Sequence, residues 1–498
     1  MTKYSTNGRL STGIAGLDQI LRGGLPEHRL HLIEGDPGTG KTTLGLQFLR
    51  EGARRGQKGL YITLAENTEE LASVATSHGW PLEGFDVLDL TGSGESLVDD
   101  SRYTVFHPAE IELDETTRQI LAAVEEHQPA RLVFDSLSEM RMLASDPLRF
   151  RRQILALKQY FMGRKCTVLL LDDRTSQDPD RQLESIAHGV INLEYVPIGY
   201  GRQRHTLRVV KMRGVSFQSG NHDYNIETGG LVVFPRLTRN DAVEFAAGTL
   251  QSGNENLDEL VGGLHYGTST IVTGPAGVGK STLSMLYAYS AAERGERAAI
   301  YLFDESAETL MHRMHALGID LRPHIAEARI MIRQIQLAEL TPGELSHMIS
   351  REVEDHGTKV VIIDSVNGYL LATPQQQFLT MQFHELLSYL NRSGVITVLV
   401  VGQYGLIGTM QAPIDMSYLA DTVILLRYFE SKGSVHSAIS MMKKRADRHE
   451  RTIREYHICE GGLQLGDPLT EFQGVLTGVP VYSGSDDELM NERGRKQR

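Results

Sequence analysis

The chain has 498 residues, 41% hydrophobic and 23% charged, an ordinary balance for soluble globular protein and enough for two or three domains. Its formal net charge of −13 argues against a protein whose main task is coating nucleic acid, which needs a basic stripe. Two widely separated cysteines, Cys166 and Cys459, form neither a disulfide framework nor a spaced ligand set. The start MTKYSTNGRL carries no apolar leader, and no apolar run approaches the roughly 20 residues of a membrane span, so the cytoplasm is the expected location.

In chain order, LHLIEG (30–35) reads as a short buried strand that runs into the Gly-rich GDPGTGKT (35–42). A helix-compatible stretch follows and closes near Gly56, and GLYITL (59–64) is a second strand leading to Glu66. LVFDS (132–136) ends an apolar strand on Asp135, and LRVVKMRG (207–214) ends another in basic residues. The series then repeats. STIVTG and GPAGVGKS (269–281), a helix closing near Gly295, AAIYLF (298–303) with Asp304 and Glu305, VIIDS (361–365) and ISMMKKRADRHERTIRE (439–455) take the same places. Lys41 to Lys280 and Glu66 to Glu305 are both 239 positions apart, Leu17-Asp18 to Leu257-Asp258 is 240, and Asp135 to Asp364 is 229. A domain-sized period means duplication, not a solenoid. The expected division is a first α/β domain over 1–238, a second of the same kind over 239–477, and a tail over 478–498.

A Gly-rich turn between strand and helix points backbone N–H groups at phosphates, where the helix N-terminus adds partial positive charge. Gly38, Thr39, Gly40 and Thr43 in the first half, and Gly277, Val278, Gly279 and Thr282 in the second, are therefore expected around a nucleotide. Lys41 and Lys280 would reach its β- and γ-phosphates, with Thr42 and Ser281 placing a hydroxyl on Mg²⁺. Asp135 and Asp364 are expected as partners of that ion, with Asp304 also within its reach; the plainer reading of a strand-end Asp is a helix N-cap. Glu66, Asp304 and Glu305 stand where a carboxylate could orient the attacking water or hydroxyl, and Ala65 leaves the first half with a single acid. Lys211-Met212-Arg213 and Lys443-Lys444-Arg445 suit delivery of positive charge to a neighbour's γ-phosphate, with His449 further along; the alternative is a basic strand end on the surface.

These residues together resemble the KaiC family, double-domain RecA-like P-loop ATPases. The resemblance spans both phosphate loops, TGIAGLDQILRGGLP, the acids after the second strand, FDS and IDS, RVVKMRG and AISMMKKRADRHERTIREY. It implies two tandem RecA-like α/β domains, Mg²⁺ and ATP between subunits, and a two-tiered homohexameric ring. The first tier would hydrolyse ATP and the second would autophosphorylate, with a signalling or clock-protein partner of the KaiB kind and no membrane. Lys211 and Arg213 match the pair that acts across subunits in the first tier, and Lys443 and Arg445 that of the second. Ser77 and Trp80 in SHGW fall on family positions, and Ser417 falls on the phosphorylated Ser. Three departures stand out: Tyr418 replaces the Thr beside that Ser, Ala65 one of two glutamates, and Leu317 an aromatic residue. Two other functions compete with an ATPase and autokinase: a recombinase- or helicase-like motor on single-stranded DNA using YGRQRH (200–205) and KKRADRHER (443–451), and a nucleotide-gated scaffold with little turnover.

Overall fold

The structure, a computed structural model, describes residues 8–91, 108–144, 146–174, 181–197, 201–237, 248–336, 339–371, 376–405, 417–431, 433–446, 449–477 and 481–482. The chain divides between Arg236 and Leu237 into two compact units, residues 200–202 aside. In each unit the strands that read as continuous apolar runs are buried along their length, as parallel strands covered by helices on both faces must be.

The first unit is built on a nine-stranded sheet. From one edge its strands are Asp86–Asp89, Gly59–Thr63, Arg131–Asp135, Thr167–Asp173, Leu30–Gly35 and Gly189–Val196, all parallel. Arg204–Met212, Asn221–Glu227 and Gly230–Phe234 extend it antiparallel. The second unit repeats this order strand for strand: Ile330–Gln334, Ala298–Leu302, Val360–Asp364, Ile396–Gly402, Ser269–Gly274 and Thr422–Ser431, then antiparallel Ser434–Lys444, Ile453–Cys459 and Gly462–Pro468. This is a tandem duplicated RecA-like α/β fold. In both sheets the strand that feeds the phosphate loop is flanked by two strands far from it in sequence. Such a switch in strand order opens a crevice at the carboxyl ends, where α/β sheets take their ligands.

Each unit begins with a short helix held by one aspartate from the repeated Leu-Asp pair. Asp18 accepts from Ser11 Oγ at 2.6 Å, Thr12 N at 2.8 Å and Thr12 Oγ1 at 2.7 Å. Asp258 accepts from Ser252 N at 2.7 Å and Gly253 N at 3.2 Å. The repeated acid closes a turn and is remote from the phosphate loops in role.

Arg131 begins the Asp135 strand with its side chain fully buried. Its guanidinium donates to Phe48 O at 2.7 Å, Ser11 O at 2.8 Å and Gln57 Oε1 at 2.8 Å, and lies over the Phe48 ring. Burial pulls its pKa down to about 10. Replacing it strands those acceptors in the core, so Arg131→Ala is expected to destabilise the first unit by about 3 kcal/mol. Chemical denaturation checks this: the first unit should unfold at lower denaturant while the second holds its midpoint.

Candidate functional site

The two phosphate loops have the same construction. Gly38 and Gly40 take φ of 82° and 86°, Gly277 and Gly279 78° and 100°, the left-handed turns that aim successive N–H groups one way. Gly35 and Gly274 are required by close approach: a Cβ would lie 2.6 Å from Leu193 O in one and 2.4 Å from Leu426 O in the other. Behind each loop a tyrosine braces the turn. Tyr224 Oη donates to Thr39 O at 2.7 Å, and Tyr456 Oη donates to Val278 O. Helices Lys41–Arg54 and Lys280–Glu293 start directly from the loops.

In the first unit Lys41 Nζ donates to Gly35 O at 2.9 Å and Asp36 O at 3.0 Å, and pairs with Asp173 Oδ1 at 2.6 Å. Thr42 Oγ1 donates to Asp135 Oδ2 at 3.0 Å, an oxygen that also accepts from Tyr61 Oη at 2.5 Å. Burial raises the Asp135 pKa against those hydrogen bonds and the nearby Lys41 charge. Glu66 faces the same carboxylates. Burial first, then Asp135, Glu70 and Asp173, hold its pKa above the usual carboxylate range. Its Oε2 is buried without a hydrogen-bond partner.

The second unit departs from this pattern. Lys280 Nζ donates to Pro275 O at 2.7 Å, and burial lowers its pKa. The strand position opposite Gly274 is Gly402, where the first unit has Asp173 opposite Gly35. Asp364 accepts from Ser281, burial raises its pKa, and its Oδ2 is a buried oxygen with no partner. Asp304 is exposed and accepts from Ser365 Oγ. Glu305 is bound by Arg313, whose Nη2 and Nε reach its two oxygens at 2.8 and 3.3 Å. The hydroxyl–carboxylate pairs Thr42–Asp135 and Ser281–Asp364 are hard oxygen donors that fit Mg²⁺, which keeps most of its shell as water and phosphate. Among the described residues no group of three or more His, Cys, Asp or Glu side chains could hold a metal without a nucleotide.

The basic residues lie elsewhere. His188 N donates to Leu30 O and Gly189 pairs with Met212, so Lys211 and Arg213 stand at the amino end of the strand that carries the phosphate loop at its other end. Arg213 is level with Leu30, five residue steps or about 17 Å from Gly35 at 3.3 Å per residue, and Lys211 is level with Leu32, three steps or about 10 Å from it. Three cations cover three successive carbonyls there: Lys211 on Glu184 O, Arg213 Nη2 on Ser185 O at 2.7 Å, and Lys158 Nζ on Ile186 O at 2.6 Å. Burial and then the charges of Lys158, Arg29, Arg213 and Lys211 push the His188 pKa down to about 4. In the second unit Lys443 Nζ donates to Ser417 O at 2.8 Å and Ala420 O at 2.7 Å. Arg445 Nη2 donates to Tyr418 O at 3.1 Å. Ser417 and Tyr418 are exposed.

Two other expected ligands, Met212 and Lys444, face inward and not toward the loops of their own units. Met212 is buried in the first unit's core, and Lys444 is buried with Nζ on Val261 O and Gly263 O, because alternate side chains of a strand face inward. Ser77 is exposed and donates to Val74 O, and His449 is half-buried.

A family model described as "ATPase: KaiC" matches this chain twice, over residues 10–238 and 250–469. The chain belongs to the KaiC ATPase family. It is similar to the circadian clock protein KaiC3 of Synechocystis sp. (strain ATCC 27184 / PCC 6803 / Kazusa), 26% identical over 98% of each chain. It is also similar to the circadian clock oscillator proteins KaiC of Thermostichus vulcanus and Synechococcus elongatus (strain ATCC 33912 / PCC 7942 / FACHB-805). Both are 26% identical, over 96% and 98% of this chain and 93% and 94% of theirs. As a KaiC-family ATPase with duplicated domains, the chain binds nucleotide.

Three residues of this KaiC-family site escaped sequence reasoning. Asp173 lies next to Asp172 in an apolar strand, and only sheet register brings it to Lys41. His78, read only as part of SHGW, bridges Thr43 Oγ1 at 3.2 Å and Glu227 O at 2.9 Å. Arg313 reads as a solvated helix residue, yet Nη1 donates to Thr282 Oγ1 at 2.9 Å beside its pair with Glu305. Asp173 competes with phosphates for Lys41, so Asp173→Asn is expected to tighten nucleotide binding in the first unit by about tenfold, the scale of one 1.4 kcal/mol interaction. Fluorescent ATP-analogue titration in a Lys280→Ala background measures it.

Proposed function

We propose that copies of this chain form a two-tiered hexameric ring in the cytoplasm that hydrolyses Mg·ATP at the first-unit site. The second-unit site transfers phosphate to Ser417 of a neighbour. One observation carries this reading: in each unit the phosphate loop leaves the carboxyl end of its strand, while the Lys–Arg pair closes a strand two places away in the sheet, toward the amino end of the loop's strand. A γ-phosphate on Lys41 is out of reach of Arg213 in the same unit, and a second copy supplies what is missing. Where Lys443 and Arg445 meet the neighbour's γ-phosphate, Ser417 comes with them, since Lys443 holds its carbonyl.

At the first-unit site Lys41 exchanges Asp173 for the β- and γ-phosphates. Thr42 and Asp135 would hold Mg²⁺, which would supply positive charge to the phosphate oxygens. Glu66 orients the attacking water and takes its proton, while Arg213 and Lys211 of the neighbour neutralise the charge that develops on the γ-phosphoryl group. At the second-unit site Lys280, Ser281 and Asp364 take the corresponding parts, and Asp304 faces the incoming Ser417 hydroxyl. Tyr418 beside Ser417 sets this chain apart from a two-step Ser/Thr cycle, so the output is a nucleotide-dependent signal passed to a protein partner. The DNA-motor reading loses support at YGRQRH, where Arg204 is committed to Asp223 by contacts of 2.9 to 3.3 Å.

Phosphate mapping after incubation with Mg·ATP tests transfer. Lys280→Ala and Ser417→Ala are each expected to show no phosphate at position 417, and mixed rings of the two to regain it on the Lys280→Ala subunits. Hydrolysis without phosphate in the wild type would remove the kinase and leave the ATPase. Hydrolysis in a Lys280→Ala background is also expected to fall on the acid side at a pH above the ordinary glutamate range. Glu66 must be unprotonated to act and its pKa is raised, and Glu66→Gln should abolish that limb.

A further inference from the structure

The two units share a fold and a loop but hold their matching glutamates differently. Glu305 lies 239 positions after Glu66, Thr282 239 after Thr43, and Arg313 239 after Val74. The helices that carry the last pair, Thr68–Ser77 and Ala307–Ala316, keep that offset. Arg313 grips both oxygens of Glu305 and reaches Thr282 Oγ1 in the first turn of the phosphate-loop helix. Valine can do neither, and in the first unit Thr43 meets His78 instead.

We propose that Arg313 is a positioning residue that withholds Glu305 from water in the second unit, while Val74 leaves Glu66 free to act in the first. This rests on the reading of both units as phosphoryl-transfer sites. In hydrolysis, water oxygen bonds to the γ-phosphorus, the bond from that phosphorus to the β-bridging oxygen breaks, and the water proton passes to the glutamate. A carboxylate with both oxygens on one guanidinium is held in a fixed orientation with one lone pair of each oxygen already taken, so it is less able to turn toward the water and accept its proton. The free Glu66 oxygen is the opposite case, buried without a partner and with burial raising its pKa toward the range a general base needs. The arginine therefore divides the work. ATP in the second unit is protected from water and kept for the Ser417 hydroxyl, which Asp304 can serve because it is outside the clamp.

The test exchanges the two residues. In a Lys41→Ala background, which confines turnover to the second unit, Arg313→Val is expected to raise ADP release by about tenfold or more. Glu305→Gln is expected to cancel that gain, while phosphate on Ser417 falls relative to ADP formed. In a Lys280→Ala background, Val74→Arg is expected to slow the first unit by a similar factor with little change in KM, and Val74→Met to leave the rate near wild type. Undiminished nucleotide binding with no gain in Arg313→Val would overturn the clamp. So would a loss of rate accompanied by weaker binding, which would make Arg313 a nucleotide ligand. A gain that survives Glu305→Gln would overturn it as well. If neither the parent nor the Arg313→Val variant binds an ATP analogue in the second unit, the underlying site reading fails first.

Discussion

A parallel strand has two ends, and in each unit of this protein they lie beside different groups, the phosphate loop at one and the Lys–Arg pair toward the other. The buried strand Leu30–Gly35 delivers the phosphate loop at its carboxyl end, while its amino end lies beside the strand pair that presents Lys211 and Arg213. Ser269–Gly274 does the same with Lys443 and Arg445. Helices on both faces and hydrogen-bonded neighbours on both sides keep such a strand rigid, so the separation cannot be closed by bending. A reaction that drew on both ends, as proposed above, would need two molecules. The same geometry places Ser417 next to cations and far from its own phosphate loop.

Within that frame, electrostatics separates the units. The first gathers Glu66, Asp135 and Asp173 around one lysine, where burial and then the neighbouring carboxylates raise the Glu66 pKa and Asp173 pairs Lys41. The second places Gly402 at the position matching Asp173 and commits Glu305 to an arginine. Burial acts on Asp135 and Asp364 alike, so the difference lies in what surrounds them. The cationic ends differ too. Arg445 pairs with Asp421, while the matching residue in the first unit is His188, whose pKa burial and then four nearby cations hold down. Duplication supplied one scaffold, and a few substitutions at register-matched positions gave its two sites different electrostatic surroundings.

Much of this was legible in the sequence because it follows from local chemistry. A Gly-x-x-x-x-Gly-Lys-Thr or -Ser run between an apolar strand and a helix can be recognised without neighbours, and the 239-residue offset exposes the duplication. The α/β class, the loop residues and the strand-end aspartates all come from such patterns. What sequence could not supply was the pairing of distant strands. Asp173 meets Lys41 across 132 positions because Thr167–Asp173 lies in register against Leu30–Gly35. Met212 and Lys444 read as parts of basic clusters, and the alternation of their strands turned both inward. Arg313 is one more basic residue on an amphipathic helix until packing sets it between Thr282 and Glu305. The sequence by itself determined the phosphate-binding chemistry, since backbone N–H groups, a lysine and a hydroxyl at fixed spacing need nothing from elsewhere. Only the tertiary structure decided which carboxylates are free, paired or clamped, because those states depend on charges and burial brought together by sheet register.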